Sequence, residues 1–444
     1  MVSEQQINDE NTAISKIRSA GVVGAGGAGF PTHVKLSASA EYLLINGAEC
    51  EPLLQVDQQL LPLEAKRFLN TLEVLMEMTK VKKTVVAMKK KYKEAWEVLG
   101  QLNNNPRIEL FELGDFYPAG DEHVTVYEAL GRVVPQGGIP IKVGTIVQNP
   151  ETILNIADAL EDKPVIDKYI TVTGLVQNPA TVKVPIGMPL IDVIMLCHNS
   201  SLEGNVVIEG GPMMGKIVED LNNPVTKTTK GLIVLPADHL LIRRKTLPLE
   251  RQSRKARSLC MQCQRCTEAC PRYLLGHEIQ PHRVMRSIAY SDKNPEGLKI
   301  ALYCSECGAC EVACPMDLSP KQVNSYLRAK FAKAGIRPEV KEGKASPIRE
   351  MRKITVSQLV PRLGLTKYKK YAPMKEMNFE CKMVKLALKQ HVGAPASPVV
   401  TVGQKVQRGD LIAEIPKDAL GARVHASISG KVTEVTDYIT IMSD

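Results

Sequence analysis

The chain is poor in aromatic residues and has no long apolar run. Phenylalanine, tryptophan and tyrosine make up 4% of its 444 residues, with one tryptophan. So few aromatic faces argue against a stacking platform for nucleic acid. No apolar run approaches the roughly 18–20 residues that cross a bilayer, so no transmembrane segment is expected. The start, Met1-Val2-Ser3-Glu4-Gln5-Gln6, has no basic patch followed by an apolar stretch, so no secretory signal is expected either. A soluble cytoplasmic protein is the resulting expectation.

Charge and cysteine are what the chain does have. Lysine and arginine number 57 against 48 acidic residues, a net charge of +9. The densest basic stretch runs Arg243-Arg244-Lys245 and then Arg251, Arg254, Lys255 and Arg257. It reads either as a solvated linker or as a docking face for an acidic redox partner, whose approach salt would screen. Eight of the eleven cysteines fall in two tight clusters. Without an export signal, metal ligation explains them better than disulfides do.

The clusters spell one motif twice. Cys260-x-x-Cys263-x-x-Cys266-x-x-x-Cys270-Pro271 recurs as Cys304-x-x-Cys307-x-x-Cys310-x-x-x-Cys314-Pro315. Three thiolates at this spacing wrap one face of an iron–sulfur cube, and the fourth, before proline, reaches the neighbouring cube in two-cluster ferredoxins. Two [4Fe-4S] clusters are therefore expected, one on Cys260, Cys263, Cys266 and Cys314, the other on Cys304, Cys307, Cys310 and Cys270. Structural zinc is the alternative, but its sites usually pair two Cys-x-x-Cys units. The helical character between the motifs favours an α-helical ferredoxin.

At 444 residues, about three domains is a reasonable prior. Residues 1–165 alternate helix-like stretches with strand-like ones at Tyr42–Ile45, Thr84–Met88, Ile108–Phe111 and Gly144–Val147, the pattern of an α/β layer with a parallel sheet. Pro62–Thr79 predicts one amphipathic helix and Pro150–Leu160 another. Residues 166–236 read as a small α+β module, 250–335 as the cysteine domain and 385–444 as an all-β module, with strands predicted at Val399–Val402, Leu411–Ile415 and Lys431–Val435. A polar, lysine-rich connection precedes the last module. The fold class expected is multidomain α/β.

Gly24-Ala25-Gly26-Gly27-Ala28-Gly29 fits G-x-G-x-x-G, but a Rossmann turn needs a full strand before it and a helix directly after, and only Val22-Val23 precede. No Gly-Lys-Ser/Thr closes it, so it is not a P-loop. Close-packed glycines still expose backbone N–H groups and admit a phosphate or a ring.

With Phe30-Pro31-Thr32 and Lys35, this loop resembles the flavin loop of the NADH-oxidising subunit of respiratory complex I. Three further segments match in order: Asn46-Gly47-Ala48-Glu49-Cys50-Glu51-Pro52, Tyr117-Pro118-Ala119-Gly120-Asp121-Glu122, and Val147-Gln148-Asn149-Pro150-Glu151-Thr152. The resemblance implies that Gly24, Gly26, Gly27, Gly29, Lys35, Asn46, Glu49, Gly120, Asn149 and Thr152 hold FMN. It implies that Phe30, Glu51 and Glu122 face NADH, with Tyr117 and Asp121 in the same motif. Ala25 and Ala48 depart from it, standing where complex I usually has arginine and aspartate.

The paired cysteine motifs and Gly210-Gly211-Pro212-Met213-Met214-Gly215 resemble the C subunit of the Rnf electron-transport complex, and Tyr169–Gly215 resembles its β-grasp (SLBB) domain. The tail resembles a barrel-sandwich module that is N-terminal in that subunit. Its C-terminal position here resembles the cobalamin reductase family of propanediol-utilising bacterial microcompartments. That resemblance implies NADH oxidation through FMN and two [4Fe-4S] clusters to a corrinoid substrate, with a corrinoid enzyme or a shell protein as partner. A peripheral Rnf-type subunit and a non-catalytic relay on a shell remain open.

Overall fold

The computed structural model describes residues 12–198, 200–290 and 295–443. The Met1–Gln6 stretch lies outside them, as do residues 291–294 between the cysteine motifs.

Four parallel strands, β1 (Tyr42–Gly47), β2 (Lys83–Lys89), β3 (Ile108–Leu113) and β5 (Thr145–Gln148), make a sheet in the order β3-β2-β1-β5. β4 (Phe116–Tyr117) lies outside it. β1 and β2 are apolar and buried almost throughout, as strands covered on both faces must be. The helix predicted over 62–79 is two, Asp57–Leu63 and Ala65–Thr79, with the break at Glu64, two residues past Pro62. The Pro150–Leu160 helix has the predicted bounds because Pro150 occupies its first position, where the missing N–H costs nothing.

The second sheet contains β6 (Asp167–Gly174), β7 (Ala180–Pro185), β8 (Asn205–Glu209), β9 (Lys216–Ile217) and β10 (Gly231–Pro236). The lysine-rich connection is not a plain tether. Its β11 (Ile354–Thr355) pairs with β4, and its β12 (Met374–Lys375) adds an edge to β7. Strands β13 (Met383–Ala387) to β19 (Tyr438–Met442) build the C-terminal module as two antiparallel sheets. There, the strand predicted at Val399–Val402 falls instead at Ser397–Pro398, paired with Ala413 and Glu414. One apolar core runs from Ile17 and Leu43 into Val384, Ile412 and Ile441, so the first and last modules share a hydrophobic interior. Each Leu or Ile buried there contributes about 1.5–3 kcal/mol. No helix among the described residues is long and apolar enough to cross a membrane.

Candidate flavin and iron–sulfur site

Because the sheet is parallel, β1 and β5 end on the same edge, and the strand order reverses between them, with β2 and β3 on one side of β1 and β5 on the other. A crevice at such a reversal in strand order is where open α/β sheets bind ligands. The glycine loop lies at this crevice. Its crest, Gly26-Gly27-Ala28, is exposed, while Ala25 and Gly29 are buried. Ala25 N–H donates to Thr152 Oγ1 at 3.0 Å, Asn149 Nδ2 donates to the Asn46 carbonyl at 3.1 Å, and Asn46 Nδ2 donates to the Gly120 carbonyl at 2.9 Å. One hydrogen-bonded chain thus joins all four sequence motifs. A Cβ at Gly26 would lie 2.7 Å from Asn149 Cγ, and one at Gly120 would lie 3.0 Å from Cys50 Sγ. These two glycines let the motifs pack closely, while Gly27 on the crest faces open space, and a flavin phosphate or ring fits against such a crest.

Lys35 and Glu122 form an ion pair at 3.2 Å, and Phe30 is partly buried beside the loop. The other carboxylates bond elsewhere. Glu49, in a left-handed backbone conformation (φ 33°), accepts from Val56 N–H at 2.7 Å and shares the Lys230 ammonium with buried Asp57. Burial and then the Asp57 charge push the Glu49 carboxyl up to about 7. Glu51 accepts from the amides of Met213 and Met214 at 2.8 and 2.9 Å, and burial raises its carboxyl. It therefore clamps the Gly210–Gly215 loop of the second sheet, and Gly211 lacks a Cβ because Glu51 lies over it.

Tyr117 and Asp121 point to the cysteine domain. The Tyr117 hydroxyl sits 3.3 Å from Glu51 and donates to the Cys307 carbonyl at 2.5 Å. Asp121 caps the Glu122–Leu130 helix through the amides of His123 and Val124, and its other oxygen takes Arg272 at 2.9 and 3.2 Å. Burial opposes ionisation of Asp121, but Arg272 holds its carboxyl below the usual range. Arg272, two residues past Cys270, is a site residue that no sequence motif marks, and the same holds for Lys230 and Lys321, while Lys245, part of the basic stretch, turns inward to the Met213 and Gly215 carbonyls. Lys245 and Lys321 both donate to the Met213 carbonyl. The long ranges that separate these partners explain why no local pattern reveals them.

The eight cysteines lie in two neighbourhoods. Cys260, Cys263, Cys266 and Cys314 line one cavity. Burial, then Cys314, Cys260 and Cys263, push the Cys266 thiol up to about 12. Burial and Cys270 do the same to Cys304, and Cys310 is raised by burial, then by the Glu311 charge and by Cys304, Cys307 and Cys270. Four converging thiols hard to ionise unaided suit a cationic iron–sulfur core that draws out their protons. The two sets differ in depth: Cys270, Cys307 and Cys310 are buried, whereas Cys263 is exposed. Of the remaining cysteines, Cys197 is buried and Cys381 partly so, and Cys50 is raised to about 11 by burial.

The fold and this site define a flavin and iron–sulfur oxidoreductase of the electron-transfer kind. Four family models agree in order: the Nuo51 FMN-binding domain over residues 17–158, the SLBB domain over 169–216, a 4Fe-4S dicluster domain over 259–319 and the RnfC barrel sandwich hybrid domain over 365–443. The cobalamin reductase PduS of Citrobacter freundii is 43% identical over 100% of this chain and 99% of its own. That of Salmonella typhimurium is 44% identical over 96% and 95%. The chain belongs to the cobalamin reductase PduS family. It is also 35% identical, over 59% of its length and 58% of the relative's, to the C subunit of the Na(+)-translocating ferredoxin:NAD(+) oxidoreductase complex of Acetobacterium woodii.

Proposed function

We propose that this protein oxidises NADH at FMN and passes single electrons through two [4Fe-4S] clusters to a corrinoid, acting as a cobalamin reductase in the cytoplasm, within or on a bacterial microcompartment. Flavin exchanges hydride pairs for single electrons, and iron–sulfur cubes carry them one at a time. The observation that carries the reading is the run of contacts from the glycine crest to the cysteine domain. Asn149, Asn46 and Gly120 bind one another beside the crest, and Tyr117, three residues before Gly120, touches Cys307.

The residues divide the work. Gly24, Gly26, Gly27, Gly29, Asn149 and Thr152 would seat the flavin phosphate and ring, with Lys35 supplying positive charge nearby. Phe30 and Glu122, beside the loop, are the groups offered to NADH. Glu51 serves the dinucleotide only indirectly, by fixing the Gly210–Gly215 loop. Glu49 can hold a proton near neutral pH at the end of β1. Cys260, Cys263, Cys266 and Cys314 would hold one cluster, and Cys304, Cys307, Cys310 and Cys270 the other.

The test is anaerobic reconstitution with FMN, iron and sulfide, followed by NADH-driven reduction of cob(III)alamin and cob(II)alamin. Turnover with roughly eight irons and one flavin per chain supports the reductase. Viologen reduction without cobalamin turnover favours the second reading, an Rnf-type or shell-bound conduit, for which the barrel-sandwich match speaks. Salt-sensitive cofractionation with membranes or with shell proteins separates those two settings.

A further inference from the structure

We propose that the arginine-rimmed surface around Cys263 is the docking face for an acidic protein that takes one electron at a time from this chain. The proposal rests on the electron-transfer reading and names the class of partner.

The two cysteine sets are not equivalent in depth. The set holding Cys307 and Cys310 is covered by the flavin-side modules, and Met213 and Tyr117 pack in its apolar cluster. The set holding Cys263 opens to solvent. Met261, between two of its cysteines, is 62% exposed, and Leu259 just before them is exposed too. Apolar groups this far out, next to a redox centre, are typical of the centre of an interface.

Positive charge surrounds them. Arg251, Arg254 and Arg257 are exposed on the Leu249–Leu259 helix, which Cys260 caps. Arg265 is exposed between Cys263 and Cys266. Arg283 and Arg286 are exposed on the Pro281–Tyr290 helix, whose His282 and Met285 line the Cys260 cavity. The two helices pack together through Ala256, Val284 and Met285, which leaves their arginines outward. None of these six forms an ion pair among the described residues, whereas Arg244, Arg328 and Arg352 nearby pair with Asp317, Glu306 and Glu268. The first helix carries one carboxylate, Glu250. Unpaired like charges repel one another and destabilise a compact module, so their concentration here fits a use in association. A complementary acidic surface would be steered to this face, with association 10- to about 1,000-fold faster at low salt.

The transfer balances simply. One electron leaves the exposed centre, which is oxidised by one unit, and the acceptor is reduced by one, with no bond made and no proton moved.

The test uses oxidised, reconstituted holoprotein and two haem probes, acidic cytochrome b5 and basic cytochrome c, with binding followed by fluorescence anisotropy. Cytochrome b5 is expected to bind, to lose at least about tenfold in affinity between 20 and 200 mM salt, and to bind at least about tenfold more weakly to the Arg254→Glu, Arg257→Glu, Arg265→Glu variant. The same charge change made on the α/β domain, Lys66→Glu, Lys93→Glu, Lys142→Glu, is expected to leave that affinity within about twofold. After dithionite reduction, electron transfer to cytochrome b5 is expected to fall in step with binding. Equal loss in both triple variants, salt-independent binding, or cytochrome c binding as tightly as cytochrome b5 would overturn the proposal. If the arginine variant loses its clusters, the salt dependence and probe preference of the unmodified holoprotein decide the matter. NADH takes no part, so an inactive NADH reaction with intact, salt-sensitive docking counts against the proposed function alone.

Discussion

Two stretches of this chain spell the same cysteine spacing and lie in different surroundings. Around Cys304–Cys314 the chain is enclosed: Tyr117 reaches the Cys307 carbonyl, Met213 packs against the motif, and Lys321 anchors the loop that carries Met213. Around Cys260–Cys266 the chain ends a surface helix, and Cys263 and Met261 stand in solvent. Identical spacing specifies the cofactor class, because thiolate geometry alone decides what fits. The neighbours decide the role. A cluster held in the enclosed set, which Tyr117 touches, would suit receipt of electrons, and one held in the exposed set would suit their delivery.

The largest expected effect separates the two motifs directly. Cys310→Ala should lose about half of the bound iron and destabilise the chain by on the order of 5 kcal/mol, since it empties a buried site. Cys263→Ala should lose a similar share of iron with a much smaller shift in unfolding midpoint. Iron assay and thermal unfolding of the two reconstituted variants read both quantities, and equal destabilisation would erase the contrast.

Next in size is Asp121→Asn. Asparagine still caps the Glu122–Leu130 helix, but Arg272, whose side chain is only 15% exposed, loses its counter-charge. Removing one partner of a buried pair costs about 3 kcal/mol, to be checked by urea unfolding. Smallest is Tyr117→Phe, which deletes the bond to the Cys307 carbonyl. About 1 kcal/mol of stability should go, and the electron paramagnetic resonance signal of the enclosed centre should shift while the exposed one stays put. A shift in both signals would mean that the centres share their environment.

The parts of this picture that rest on local chemistry are visible in the residues themselves. Apolar runs bounded by turns mark β1, β2 and β5, Asn149-Pro150 marks a helix start, and the Cys-x-x-Cys strings mark the candidate cluster cysteines. What escapes is made by partners far apart in the chain. β11 and β12 are two residues each, too short for any period, and exist because β4 and β7 offer free edges. Glu51 reads as an acid facing NADH, and its bonds to the amides of Met213 and Met214, more than 160 residues away, have no local signal. Pro62 lies inside the Asp57–Leu63 helix, and the apolar periodicity of 62–79 conceals the break at Glu64 that follows it.

The most direct measurement is anaerobic stopped-flow of NADH against the Cys263→Ala holoprotein, with flavin and iron–sulfur absorbance followed alongside acceptor reduction. Flavin bleaching and reduction of the remaining centre at the unmodified rate, with delivery to cob(III)alamin or cytochrome b5 reduced at least about tenfold, is the outcome expected if the exposed centre is the outlet. Undiminished delivery to the acceptor would contradict that order.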